Sequence, residues 1–315
     1  MVGQNAWKGL SDILVVQPVV SRLIEIGLPH KFALRVEQPF DWQSLLAFLR
    51  LRATPGVELI TDLAYTRTIT DGAAAQTFSV KYDSTSAALQ VECPGETSVL
   101  RLVEARIQQI FKPDVHTGPI EAFLGRDPWL GEFVKLQAGL RVPGGWSALE
   151  IAMRAILGQQ VSVPAATTLM GRLVRGAGTR LNESLWLFPT AEQIAQADLS
   201  GLGVPKSRME TVKTLAAFFA EHGEQCLEDA DIRDHLLALK GIGKWTAGYI
   251  LMRTSASHDH WPEGDLILRK ALSNGNAMIA YSALERAFNR WSPYRSYATI
   301  HIWKGYAPRV MSGEP

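Results

Sequence analysis

Leu236 to Asp265 reads LLALKGIGKWTAGYILMRTSASHDHWPEGD, and how this stretch parses decides the fold. Its first half is two apolar helical runs joined by Lys240-Gly241-Ile242-Gly243-Lys244. Two glycines flanking one aliphatic residue suit a very tight turn between helices, with positive φ open to both. The second helix then starts with free backbone N–H groups, which suit an anion such as phosphate. Lys240 and Lys244 add charge at the same place. Further on, Gly264-Asp265 precedes Leu266-Ile267-Leu268-Arg269-Lys270, which predicts a new helix with Asp265 near its start. Taken alone, the glycine turn is common, and Asp265 reads as an ordinary N-cap.

Composition bounds the rest. The 315 residues suffice for a full core and two or three domains. No run of eighteen apolar residues appears, and the N-terminus shows no basic stretch leading into an apolar one, so neither a membrane span nor a signal peptide is expected. Two cysteines, Cys93 and Cys226, exclude an all-cysteine four-ligand iron–sulfur or zinc site and suit a reducing cytoplasm. The net charge of +1 is low for a chain that grips phosphates. From Lys240 to Lys304, however, nine Lys/Arg face four Asp/Glu, so the acids lie mainly elsewhere.

Along the chain, residues 1–35 are left as an unassigned extension. Ile13–Val16 is apolar, and Val19, Leu23 and Ile26 recur at roughly helical spacing. Residues 36–117 predict a small α/β domain. A helix at Trp42–Leu49 precedes β-rich runs at Thr66–Ile69, Thr77–Tyr82 and Ala88–Val91, with turns at Asp71-Gly72 and Asp83-Ser84, and a helix at Leu100–Phe111 follows. Residues 118–315 show almost no strand pattern and should be all-helical. Ser147 caps a helix at Ala148–Leu157, Pro164 opens another, and a third runs from Ser207 to Phe219 after Gly201-Leu202-Gly203. The fold class is therefore α+β, with an antiparallel-sheet domain and a helical body of two subdomains flanking a cleft.

A Leu-x-Gly-Ile-Gly-x-Trp-Thr-Ala hairpin with Gly-Asp twenty residues beyond its tryptophan resembles the helix-hairpin-helix base-excision DNA glycosylases. Trp291-Ser292-Pro293-Tyr294-Arg295-Ser296-Tyr297-Ala298 with His301-Ile302-Trp303 is similar to their alkylpurine branch, the DNA-3-methyladenine glycosylase II (AlkA-like) family. The likeness spans about Phe40 to Trp303, and Gly139–Gly144 resembles the turn before that family's central helix.

The resemblance implies a hydrolase of N-glycosyl bonds that removes 3-methyladenine- or 7-methylguanine-type purines from duplex DNA. Asp265 would be its catalytic carboxylate, because bond cleavage builds positive charge on the sugar. A purine alkylated on a ring nitrogen is already cationic and leaves without a second acid. Trp245, Tyr249, Trp303, Phe48 and Leu266 would wall the pocket of the flipped base, where electron-rich faces favour a cation. Gly241, Gly243, Lys240, Lys244, Gln160, Arg269, Lys270 and Arg295 would meet DNA. This chain has Gln160 where the family has a wedging leucine, and Leu266 where it has an aromatic. Lys244 falls one residue short of the Schiff-base lysine of bifunctional members, a turn of about 100° on a helix, so a monofunctional enzyme is expected. No cofactor is expected, with or without a monovalent cation on main-chain carbonyls across 239–244. A cytoplasmic, nucleoid-associated monomer is the implied setting. Glu263 is a competing carboxylate, and His258, Asp259 and His260 form a solvated loop rather than a metal site. A bifunctional lyase for oxidised bases and a non-catalytic DNA-binding module are the alternatives.

Overall fold

The computed structural model describes residues 23–25, 31–70, 75–273 and 275–312. Period-2 burial in the β-rich runs builds one antiparallel sheet. Its strands are β1 (Leu23–Glu25), β2 (Lys31–Arg35), β3 (Glu58–Ile60), β4 (Ala64–Thr70), β5 (Ala75–Asp83) and β6 (Ala88–Glu92), in spatial order β1-β2-β6-β5-β4-β3. Along β5, Phe78 and Val80 turn inward while Thr77, Ser79 and Lys81 do not. On the buried face lie α1 (Trp42–Arg50) and α2 (Thr97–Phe111), whose apolar stripes complete the core with Leu34, Tyr65, Leu89 and Val91.

The sheet corrects the expected boundary at residue 36. Phe32 and Leu34 are core residues of β2, and Leu23 pairs with Leu34 in strand register. The helical spacing of Leu23 and Ile26 misled, because a three-residue strand is too short to show a period. Ile13–Val16, Val19 and Ile26 themselves lie outside the described residues, as does the Asp71-Gly72 turn.

The second part holds α3 (Gly118–Leu124), α4 (Leu130–Lys135), α5 (Ala148–Leu157), α6 (Val163–Ala177), α7 (Ala191–Gln196), α8 (Lys206–His222) and α9 (Ile232–Ala238). It continues through α10 (Lys244–Thr254), α11 (Leu266–Ser273), α12 (Tyr281–Asn289) and α13 (Arg295–Ser312). One two-stranded ribbon, β7 (Thr179–Arg180) with β8 (Trp186–Leu187), departs from the all-helical expectation. Central to it are α5, buried along its whole length, and α10, buried from Thr246 to Arg253. Ser147 caps α5 by accepting from Glu150 N.

Two buried arginines fasten the parts together. Arg141 donates to the main-chain carbonyls of Glu37, Pro39, Lys112 and Gly139. Arg67 of β4 meets Glu150 of α5 in a fork, with a second carboxylate, Glu58, 3.4 Å away. Phe48 packs against both cores, so the last turn of α1 belongs to the seam.

Candidate active site and nucleic-acid interface

The turn between α9 and α10 takes its shape from Gly241. Its φ is +90°, and a Cβ there would lie 2.1 Å from Thr211 Oγ1 of α8. Gly243 does not need positive φ, contrary to the sequence reading. It is extended (φ −98°, ψ 177°), and nothing lies within 4 Å of where its Cβ would be. Ile242 between them is buried and anchors the turn in the helical core. No side chain caps α10, so its first N–H groups face outward. Gln159, just after α5, donates from Nε2 to Gly241 O and to Thr246 Oγ1, both at 3.0 Å.

Asp265 is brought to this hairpin by a close backbone approach. A Cβ on Gly248 of α10 would stand 2.0 Å from Trp261 O, so only glycine lets the 261–265 arm lie along the helix. Asp265 is 8% exposed. Its Oδ1 accepts from Ile267 N and Leu268 N, each at 3.0 Å, and from Trp303 Nε1 at 3.2 Å. Its Oδ2 accepts from Trp245 Nε1 at 2.9 Å. Asp265 is thus the N-terminal cap of α11 and also sits among the aromatic residues. The cap reading is realised, in the same carboxylate that the sequence reading took as the site.

Four of the five expected pocket residues cluster. Trp245 stacks on Tyr249 at 5.2 Å and 17°, Tyr249 meets Trp303 at 6.3 Å, and Phe48 lies parallel to Trp303 at 6.5 Å. Leu266 is 54% exposed at the start of α11. Behind the rings lies a set of arginines that the sequence reading did not pick out. Arg253 donates to Tyr249 Oη at 2.9 Å and to the carbonyls of Pro143 and Gly144. Arg52 lies over the Phe48 ring at 3.7 Å. The available signal for Arg253 was its position four residues after Tyr249, on the same helix face.

The expected DNA contacts divide. Lys240 (side chain 87% exposed) and Lys244 stand beside the hairpin, each in a loose ion pair, with Glu210 at 4.0 Å and Glu263 at 3.9 Å. Gln160 is exposed with φ 58°, and Val161 and Val163 beside it are exposed apolar residues that the sequence reading passed over. Arg269 and Arg295 are corrected. Arg269 turns inward to Ile279 O, and Arg295 is bound at 2.8 Å by both oxygens of Asp259, so the charge of Arg295 is already matched. Glu263 is held by Arg233 and faces Lys244 and the Tyr281 hydroxyl, away from the role of competing carboxylate. Asp259 also accepts from Ser292, and among the described residues no cluster of His, Cys, Asp or Glu could hold a metal ion.

The chain as a whole has counterparts among known proteins. A family model for the AlkA N-terminal domain matches residues 31–147. DNA-3-methyladenine glycosylase 2 of Escherichia coli is 31% identical over 288 residues, covering 88% of this chain and 99% of that protein. The chain belongs to the DNA-3-methyladenine glycosylase 2 family. A probable bifunctional transcriptional activator/DNA repair enzyme AlkA of Mycobacterium tuberculosis is 34% identical over 86% of the chain, which spans 56% of that longer relative. In fold, this glycosylase-family chain matches the 3-methyladenine DNA-glycosylase of Archaeoglobus fulgidus with a TM-score of 0.75 at 20% identity, over 86% of this chain and 97% of that one.

Proposed function

We propose that the protein is a monofunctional DNA glycosylase that hydrolyses the N-glycosidic bond of alkylated purines flipped out of duplex DNA. One observation carries the reading: Asp265 is solvated by two indole N–H groups and two backbone N–H groups, with no cation bonded to it among the described residues, at the edge of an aromatic cluster beside the hairpin. Neutral donors leave the field of such a carboxylate to act on the sugar cation that forms as the base leaves. The free lone pair on Oδ2 can orient or deprotonate the attacking water. Trp245, Tyr249, Trp303 and Phe48 supply flat walls for the base.

The open face of Gly243 and the uncapped start of α10 admit a phosphate close to the main chain, and Lys240 and Lys244 add charge. Gln160, Val161 and Val163, all exposed, would enter the vacated stack. Among the described residues Leu239 O accepts from Ile242 N and Gly241 O from Gln159 Nε2, which leaves each a lone pair for a monovalent cation that would supply positive charge beside the phosphate. No helix of the described residues is long and apolar enough to cross a membrane, and both cysteines are free and buried, which supports action on DNA in a reducing compartment. The monomer reading rests on one lesion per site.

The test is incubation with duplex DNA carrying 3-methyladenine, 7-methylguanine or 8-oxoguanine. Release of the alkylated bases without strand scission is expected. Scission trapped by borohydride would instead favour a lyase, and bound but unchanged DNA a binding module.

A further inference from the structure

A narrow cavity of about 30 Å³ lies at the seam between the sheet and the helical body. Arg154 of α5, Arg253 of α10 and Arg52 just past α1 line it, with Leu49, Ile151 and Met170 as apolar walls. Arg154 is 6% exposed, and its guanidinium is incompletely used. Nη1 donates to Thr167 Oγ1 at 3.3 Å, whereas Nη2 is buried with no partner among the described residues. A buried charged donor left unpaired is costly enough to call for an occupant.

A water would satisfy the hydrogen bond and leave the charge. Arg52 donates to Phe48 O, and Arg253 to Pro143 O, Gly144 O and the Tyr249 hydroxyl. With Thr167 for Arg154, these acceptors are all neutral. The two carboxylates on the cavity wall, Glu58 and Glu150, are committed to other donors. Both Glu150 oxygens accept from Arg67, while Glu58 accepts from the Tyr65 hydroxyl at 2.7 Å and from Thr54 N at 2.9 Å. Asp265 likewise accepts only from indole and main-chain N–H groups. Arg52, Arg154 and Arg253 therefore lack an ion pair among the described residues, in a place where charge is ordinarily matched.

Size limits what can supply the missing charge. One water needs about 10–15 Å³ of such space, so the cavity admits about one or two particles of that size. A halide fits, and the four oxygens of phosphate or sulfate do not. We propose that the cavity is a chloride site: one ion accepts from Arg154 Nη2 and offsets the charge of Arg52, Arg154 and Arg253 where the sheet domain meets α5 and α10. The site lies outside the glycosylase reading, and its test reads neither base release nor DNA binding.

Crystals of the intact protein grown from sodium bromide should show an anomalous difference peak in contact with Arg154 Nη2. A water there, without anomalous signal, would overturn the proposal. In solution, urea unfolding is followed while sodium chloride replaces sodium glutamate at constant ionic strength, glutamate being too large for the cavity. The folding equilibrium constant should climb and saturate, rising about tenfold once chloride reaches about ten times its half-saturating concentration. Bromide should act as chloride does, and Arg154→Met should give a flat profile. A wild type that does not distinguish chloride from glutamate, or a chloride response unchanged in Arg154→Met, would defeat the assignment. If Arg154→Met does not fold, the bromide map of the wild type decides alone.

Discussion

Asp259 and Asp265 lie on one loop, six residues apart, and the protein treats them in opposite ways. Asp259 is matched by Arg295 and Ser292 and helps tie the loop to the start of α13. Asp265 accepts as many hydrogen bonds, but all of them come from neutral groups. A cation beside a carboxylate cancels its field, whereas peptide and indole dipoles stabilise the charge and leave its field to act outward. The first arm of the loop is therefore matched within the protein, and the second presents the carboxylate that the proposed function uses.

The largest expected effect comes from making that charge vanish in one arm and not the other. Asp265→Asn should slow base release by about 10²–10³-fold, lowering stability by only about 1 kcal/mol because the amide oxygen can still cap α11. Asp259→Asn should leave the single-turnover rate within about twofold, a change below the tenfold that 1.4 kcal/mol would give. Equal losses in both variants would erase the distinction. Next is Gly248→Ala, which drives a methyl into Trp261 O and pushes the second arm off α10. Thermal or urea unfolding should show a loss of about 2–3 kcal/mol, accompanied by slower base release, since Asp265 would part from its indole donors.

Trp303→Phe sharpens the comparison more gently. It keeps a ring against Phe48 but deletes one donor to Asp265, and single-turnover release should fall about tenfold. An unchanged rate would assign Trp303 to stacking alone. The smallest effect is the pH dependence of the first arm. Burial raises the Asp259 carboxyl, but the bonds from Arg295 and Ser292 outweigh it and hold the group below its ordinary 3.8. A carboxyl lowered in the folded state gives stability that is complete above its unfolded value and is lost as pH falls through the folded one. Wild type should therefore exceed Asp259→Asn by about 1 kcal/mol at neutral pH, and the gap should close in acid below 3.8.

Much of this was legible in the sequence wherever a local pattern carried it. Periodicity located α1, α5 and α8, alternation located β4 to β6, and Gly241-Ile242-Gly243 marked the hairpin. Asp265 was visible both as cap and as carboxylate, because its chain neighbours declare the first and its distance from Trp245 the second. What stayed hidden depends on contacts far apart in sequence. Nothing near Arg295 announces that Asp259 will claim it, and nothing near Gln159 announces its bonds to Gly241 and Thr246. The arginines behind Tyr249 come from α5, α10 and the end of α1, and no single window contains them. Strands of three to five residues, such as β1 and β2, offer too few positions for a period to speak.

The Gln159 amide has a mechanical implication. By bonding the hairpin at two points, it locks the loop bearing Gln160 and Val161 to the turn bearing Gly243 as one rigid caliper. On the proposed function, the span between the turn that would hold a strand and the loop that would enter its stack is then a fixed gauge. Undamaged duplex, whose bases resist being pried apart at that spacing, would be sampled by travel of the entire molecule, with no jaw needing to open and shut at every step.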